Sequence, residues 1–318
     1  ALPICHDMNE ADALSNVFAT PANDGPPAPR IVYDMPEADY HARKEDSASG
    51  IEKFIRDRGE YREWRAGTLR DKPTVEMIAG RYYHAGFLEP NALDRFAVAP
   101  KLGDKRKNPD KKTFDEWKAS VGKRTRIDDA AAGECLAAML AAVAAHPEAG
   151  SLMFPVDDGQ NEVAMLWTDE ETRRPMRAKL DRWLPVLQLA PELKTTEHTL
   201  SMRQQQALWW RFGYHRKAAI YLDGLLAITG KTHAMPFVFV TVHATHPRVW
   251  VRWAQIDDPA VMIGRREYRQ ALRDIAACEA SGEWREPFEL ETGRPLELPA
   301  WVVNEAIGGA ALAGVEGA

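Results

Sequence analysis

Residues 163–195 change the period of the chain from that of a helix to that of a strand, and this switch decides the fold class. Met176, Ala178 and Leu180 alternate with Arg177, Lys179 and Asp181. That alternation is the period of two of a strand with one apolar and one polar face. Residues 163–167 form a continuous apolar run ahead of it, and residues 187–195 a third strand candidate. Helical patterns surround this block. Ile51, Phe54, Ile55, Tyr61 and Trp64 recur at helical spacing within residues 49–66, and residues 74–88 follow Pro73 as a second helix. Residues 128–146 are rich in Ala and Leu behind Asp128 and Asp129, which mark a helix start.

The downstream half has the same mixture. Residues 200–229 read as one or two helices with a break at Gly213. Residues 237–242 and 249–253 flank the turn-like Ala244-Thr245-His246-Pro247, a hairpin, and residues 259–281 form a closing helix. Helices around strands of mixed direction make an α/β domain with a mixed sheet. Residues 1–30 carry a Pro-rich stretch and read as a flexible extension, residues 31–306 as the domain, and residues 307–318 as a Gly/Ala-rich tail.

Several function classes drop out. No run approaches the roughly 18 apolar residues of a membrane span, and the acidic N-terminus lacks the pattern of a secretory signal. Cys5, Cys135 and Cys278 are too few and too scattered for a disulfide framework or a four-thiolate cluster; the bland reading is reduced thiols in a cytoplasmic protein. No phosphate-cradling Gly-x-x-x-x-Gly-Lys loop and no Gly-x-Ser-x-Gly elbow occurs. The 318 residues hold 41 Lys+Arg and 47 Asp+Glu, a net charge of −6, which argues against a general polyanion binder. Residues 101–126, however, hold ten Lys/Arg against four Asp/Glu, a local +6 within a −12 remainder. Such a run is ordinarily a solvated loop; beside DNA it would contact the backbone, through Lys105, Arg106 and Lys107 among others.

The chemistry concentrates between Asp181 and Lys194. Glu192 and Lys194, two apart on a strand, share a face, and Leu193 points to the core. A bend through Pro185 would pair the two strands and bring Asp181 beside Glu192. Adjacent carboxylates repel unless a cation lies between them. An oxygen-rich site with open positions suits Mg²⁺, with Mn²⁺ as a substitute. Lys194 would then hold the attacking water or stabilise charge on a phosphate. On spacing alone, the same residues are also ordinary contents of a strand's polar face. The cluster Trp209, Trp210, Phe212 and Tyr214 reads as core before it reads as a base-stacking surface.

The Asp…Glu-x-Lys arrangement resembles the PD-(D/E)XK nuclease superfamily. Its surroundings are similar to the exodeoxyribonuclease VIII-type branch, the phage-recombination exonucleases. The blocks YDMPEADYH (33–41), SASGIEKFIRDRGEYREWR (47–65), GRYYHAGFLEPNALDRFAVAP (80–100), NEVAMLWTDEETRRPMRAKLDRW (161–183), ELKTT (192–196), YHRKAAIYLDGL (214–225), GRREYRQALRDIAACEASGEW (264–284) and LELPAW (296–301) occur in that branch's order. The resemblance spans residues 31–304.

The resemblance implies a PD-(D/E)XK nuclease-like central mixed β-sheet flanked by helices. It implies metal ligation by Asp181, Glu192, the Leu193 backbone carbonyl and His84, with Glu162 a weaker ligand, and catalysis by Lys194 with Asp181, Glu192 and His84. Arg177, Lys179, Arg211, Arg216 and Lys217 are expected to face DNA. The implied activity is Mg²⁺-dependent digestion of linear double-stranded DNA, 5′→3′, to leave 3′ overhangs for a single-strand annealing recombination protein, by a ring-like homo-oligomer in a bacterial or phage-encoded setting, with no membrane partner. Leu180 stands where the branch usually has Pro, Glu192 where it often has Asp, Tyr82 where a small residue is usual and Lys217 where Gln is common. Two alternatives stay open: an endonuclease or repair nuclease of the same superfamily, and an inactive DNA-binding relative, which only the Tyr82 and Lys217 departures support.

Overall fold

The computed structural model describes residues 28–70, 72–154, 159–230 and 237–286. The block LELPAW, the C-terminal tail, Cys5 and most of the N-terminal extension lie outside the described residues. The elements run β1 (Arg30–Val32), α1 (Glu37–Ala42), β2 (Asp46–Ser47), α2 (Ala48–Arg56), α3 (Arg58–Ala66), α4 (Val75–Leu88) and a 3₁₀ turn (Pro90–Arg95). Then come β3 (Phe96–Val98), α5 (Asp110–Ser120), β4 (Thr125–Ile127), α6 (Ala132–Ala145) and α7 (Pro147–Met153). The strands β5 (Gln160–Thr168), β6 (Pro175–Trp183) and β7 (Ala190–Thr196) follow, then α8 (Met202–Arg211), α9 (Tyr214–Thr229), β8 (Phe237–His243), β9 (Val249–Ala254) and α10 (Pro259–Ser281).

Two hydrogen-bonded sheets meet at the centre. One has the order β1-β5-β6-β2 and the other β7-β8-β9. β5 and β6 are antiparallel, β7 and β8 parallel, and β8 and β9 antiparallel. A single antiparallel bridge, Leu184 to Leu189, joins the β6 and β7 chains across the Pro185 bend. The expected pairing is therefore present at its root, and no ladder continues it toward Asp181 and Glu192.

Helices cover both faces, so the middle strands are apolar on both sides. On one face Met165, Trp167, Met176, Ala178, Leu180, Phe237 and Phe239 pack against α2, α3, α9 and α10. On the other, Leu193, Val238, Val240 and Val242 pack against α4, α6 and α7. β8 divides its residues between the two cores, Phe to one and Val to the other, and every residue in it is buried. The architecture is the expected mixed α/β one.

Three local readings change. The helix expected over residues 49–66 is two helices. Asp57 adopts an extended conformation and its carboxylate accepts from the Glu60 N–H, so it ends one helix and caps the next. The basic run at 101–126 contains α5 and leads into β4, which pairs in parallel with β3. Arg30, assigned to the extension, already pairs with Leu166. The break at Gly213 is present: its φ of 65° is left-handed, a conformation that favours glycine. Among the described residues no single helix is long and apolar enough to cross a membrane.

Candidate active site

β7 carries Glu192 and Lys194 on the side that meets α9. Glu192 is fully buried. Its Oε1 accepts from both Lys194 Nζ and Lys217 Nζ, the latter on the first turns of α9. Its Oε2 is buried with no hydrogen-bond partner among the described residues. A buried carboxylate oxygen without a partner is costly, and native proteins keep few of them. Burial alone would raise this carboxyl; the charges of Lys194 and Lys217 overcome it and hold the group down at about 2.

The two lysines are not equivalent. Burial lowers the Lys194 ammonium, and Glu192 only partly restores it against the neighbouring Lys217 charge. For Lys217 the attraction of Glu192 outweighs burial and its value is raised. Tyr214 lies under the Lys194 ammonium at 5.2 Å and Tyr221 under that of Lys217 at 4.9 Å. Both rings are buried or half-buried, so the cations sit on aromatic faces as well as on a carboxylate.

Asp181 comes to the same place from β6. Its Oδ2 accepts from the Leu193 backbone N–H at 2.8 Å, which ties it to the residue that follows Glu192. His84, on α4, brings Nδ1 to 3.9 Å from the same oxygen. Burial lowers the imidazole against the pull of Asp181, which favours the neutral ring that ligates metals. Glu162 lies across from Asp181 on β5 with a φ of 54° and holds Lys179 Nζ at 2.7 Å. Burial and the Asp181 charge push its carboxyl up to about 7, with Lys179 opposing them.

Among the described residues no three His, Cys, Asp or Glu side chains form a ready metal cage. The donor set still fits a hard cation. Glu192 Oε2 lacks a partner in a buried position, Asp181 is held on the N–H of the following residue, and Glu162 is a carboxyl that a nearby cation would ionise. A cavity of about 370 Å³ opens beside Lys194, walled by Gly80, Tyr83, Thr195, Phe212 and Tyr214.

The other residues expected at DNA are placed variously. Lys179 is bound to Glu162, and Arg211 is on the exposed end of α8 beside Phe212. Trp210 is exposed, whereas Trp209 and Tyr214 pack on the core. Arg106 and Lys107 are exposed on the segment leading into α5, with Asp104 beside both, whereas Lys105 is half-buried, its ammonium on the Phe114 ring and donating to the Asp128 carbonyl. Arg216 differs from its expected role: it is buried and clamps Glu52 and Glu267, so its charge is satisfied inside the fold. Lys217 points inward to Glu192. The tyrosines Tyr40 and Tyr221 escaped the sequence reading. Tyr40 receives Arg177 on its ring, and Tyr221 donates to the Lys179 carbonyl. Their positions in the blocks 33–41 and 214–225 were the available signal.

Residues 47–289 match the family described as "PDDEXK-like domain of unknown function (DUF3799)". The matched stretch is most of the chain, and the chain belongs to this family. A crystal structure from Eubacterium rectale, named "Putative exonuclease", superposes with a TM-score of 0.54 at 16% identity, covering 84% of this chain and 96% of its own. At that identity the likeness shows the fold. A second solved structure, SSO0001, aligns with a TM-score of 0.27 at 8% identity over 71% of this chain and 84% of its own, and carries no argument. No curated protein matches the sequence.

Proposed function

We propose that this PDDEXK-like chain is a Mg²⁺-dependent deoxyribonuclease that digests linear double-stranded DNA from an end, as the exodeoxyribonuclease VIII-type resemblance implies. The observation that carries the reading is Glu192: a fully buried carboxylate with one oxygen clamped by two lysines and the other left open, on a strand whose next residue, Leu193, holds Asp181 through its N–H. Structural ion pairs do not need an open buried oxygen; a cation site does. Asp181, Glu192 and the Leu193 carbonyl would hold the ion, with His84 and Glu162 next to them. Bound there, Mg²⁺ would supply Lewis-acid polarisation of the phosphate and of water.

The chain's own groups do the rest. Lys194 holds a donor at the reacting phosphate and, with its lowered affinity for protons, can pass one during attack. Water adds to phosphorus, and the bond from phosphorus to the 3′ oxygen breaks. Asp181 is oriented by the Leu193 N–H, from which its Oδ2 accepts. The 5′→3′ direction, the 3′ overhang handed to an annealing protein, and a ring-like homo-oligomer belong to the same proposal and rest on the resemblance.

Lys194→Ala is the test. Lys217 still neutralises Glu192 in that variant, so the fold is retained, while Mg²⁺-dependent digestion of linear duplex should fall by at least ~100-fold. An unchanged rate removes Lys194 from the mechanism. Digestion of closed circular duplex at the rate of linear duplex would favour the endonuclease alternative. A second reading rests on Lys217: with two ammonium groups already on Glu192, the site is neutralised without a metal, as an inactive DNA-binding relative would need. Titration with Mg²⁺ and Mn²⁺ separates the two, since that relative shows no cleavage at any concentration.

A further inference from the structure

A second cavity, of about 490 Å³, lies away from Glu192. Its wall is made by His41 at the end of α1 and Arg43 and Lys44 after it, by Trp64, Arg65 and Arg70 around the end of α3, and by Arg177 of β6. Five of these are formally positive, and no Asp or Glu lines the cavity. Like charges gathered around a space repel each other unless an anion occupies it. Nearby acids temper only part of the charge. Arg43 is paired with Glu45, and Arg65 lies 4.0 Å from Asp46, which is itself held by Arg174. Lys44 and Arg70 are exposed at the mouth and have no carboxylate partner among the described residues.

Arg177 is the decisive residue. It is 4% exposed, so more than nine-tenths buried. One Nη donates to the Tyr40 carbonyl, and the guanidinium lies 4.8 Å from the Tyr40 ring centroid. Its Nε has no hydrogen-bond partner among the described residues. A guanidinium held in place with a buried donor open is pre-organised for an oxyanion. Arg177, Lys179 and Asp181 follow one another on the same face of β6, at ~6.7 Å per step for alternate strand residues. The cavity and the reacting centre are therefore carried on one face of one strand, Arg177 at the first and Asp181 at the second, with the Lys179–Glu162 ion pair between them.

We propose that this cavity is a phosphate-binding subsite that seats a phosphate of the DNA substrate, displaced along the strand from the bond that is cut. The proposal rests on the nuclease reading for its substrate. Trp64 supplies an apolar wall for the attached nucleoside. The phosphate has two sources, a 5′-terminal monoester or an internal diester, and the experiment distinguishes them.

Lys44→Gln with Arg70→Gln changes two exposed residues outside the catalytic centre. Binding of 3′-labelled linear duplex, with either a 5′-phosphate or a 5′-hydroxyl, is measured by anisotropy in EDTA, where nothing is cut. The dissociation constant should rise about tenfold, and the slope of log K against log salt should shrink by about 1 to 2. Loss confined to 5′-phosphorylated duplex identifies the terminal monoester; equal loss on both identifies the backbone. Unchanged affinity and slope overturn the subsite. Arg177→Lys, whose melting curve reports folding, keeps the charge without the planar fork and should weaken binding as well. The two readings fail separately. Pocket-dependent binding by a wild type that cuts nothing in Mg²⁺ sinks the nuclease and leaves the subsite. Mg²⁺-dependent cutting with pocket-independent binding sinks the subsite alone.

Discussion

Replacing Glu192 by Gln tests the electrostatics of the centre directly, because two arguments predict opposite signs. Three carboxyls, Asp181, Glu162 and Glu192, lie in one region, and their mutual repulsion predicts that removing one stabilises the metal-free protein. The structure predicts the reverse. Glu192 is bound by two ammonium groups, and each is itself largely buried, with side-chain exposures of 17% for Lys194 and 23% for Lys217. Glu192→Gln removes the one carboxylate that both ammonium groups hydrogen-bond, and breaking a buried pair in this way is costly. Holding the carboxyl at about 2 rather than its ordinary 4.5 corresponds to ~3 kcal/mol of stability. A depressed carboxyl contributes fully above its unfolded value of 4.5, and the contribution is lost as pH falls through about 2. At pH 7 in EDTA the variant should therefore melt roughly 5–10 °C below wild type for a domain of this size. The gap should narrow as the pH is taken below 4.5. A variant that melts at or above wild type at pH 7 would show that acid repulsion dominates and that the two-lysine clamp is not formed. Added Mg²⁺ supplies an internal control, since it should raise the melting temperature of wild type by mass action and that of the variant by less.

Glu162 should behave in the opposite sense. Its carboxyl is raised from 4.5 to about 7, so the folded state holds the proton more tightly, and the stability this confers is full below 4.5 and lost as pH rises through about 7. In EDTA the wild-type melting temperature should fall between pH 5 and pH 8, and Glu162→Gln should flatten that fall by about 2–3 kcal/mol; parallel curves would refute the burial of this acid. Gly264→Ala tests the packing behind the site. Gly264 of α10 lies on the first turn of α9, where a Cβ would collide with the His215 carbonyl and stand 2.8 Å from the Arg216 nitrogen. Backbone atoms cannot swing aside, so the substitution should cost ~3 kcal/mol in urea unfolding and weaken the placement of Lys217; an unchanged midpoint would mean the helices do not meet there.

How much of this was legible beforehand depended on whether a feature is local. The alternation at 176–181 placed β6, and the spacing of Glu192 and Lys194 placed two reacting groups on one strand face, because strand geometry depends only on neighbours. Gly213 was legible for the same reason: a left-handed turn leaves its mark on a single residue. The break at Asp57 was not, because an apolar spacing continues through it and only the carboxylate's hydrogen bond to the Glu60 N–H shows which signal prevails. Short strands such as β1 and β2 carry too few residues to show a period, and they exist because β5 and β6 offer them an edge. The inward turn of Lys217 has the same character. A lysine beside Arg216 on a helix reads as surface charge until Glu192, 25 residues away, is seen to hold it. The basic cavity is the extreme case, since Lys44, Arg70 and Arg177 are individually ordinary and acquire meaning only when β2 pairs with β6 and brings three distant segments around one space. Charge therefore predicts a partner poorly when summed along the chain. The −6 total conceals both a neutralised carboxylate inside the fold and a cluster of cations with no acid in its wall. A phosphate responds to that local field, which the topology creates and the composition does not reveal.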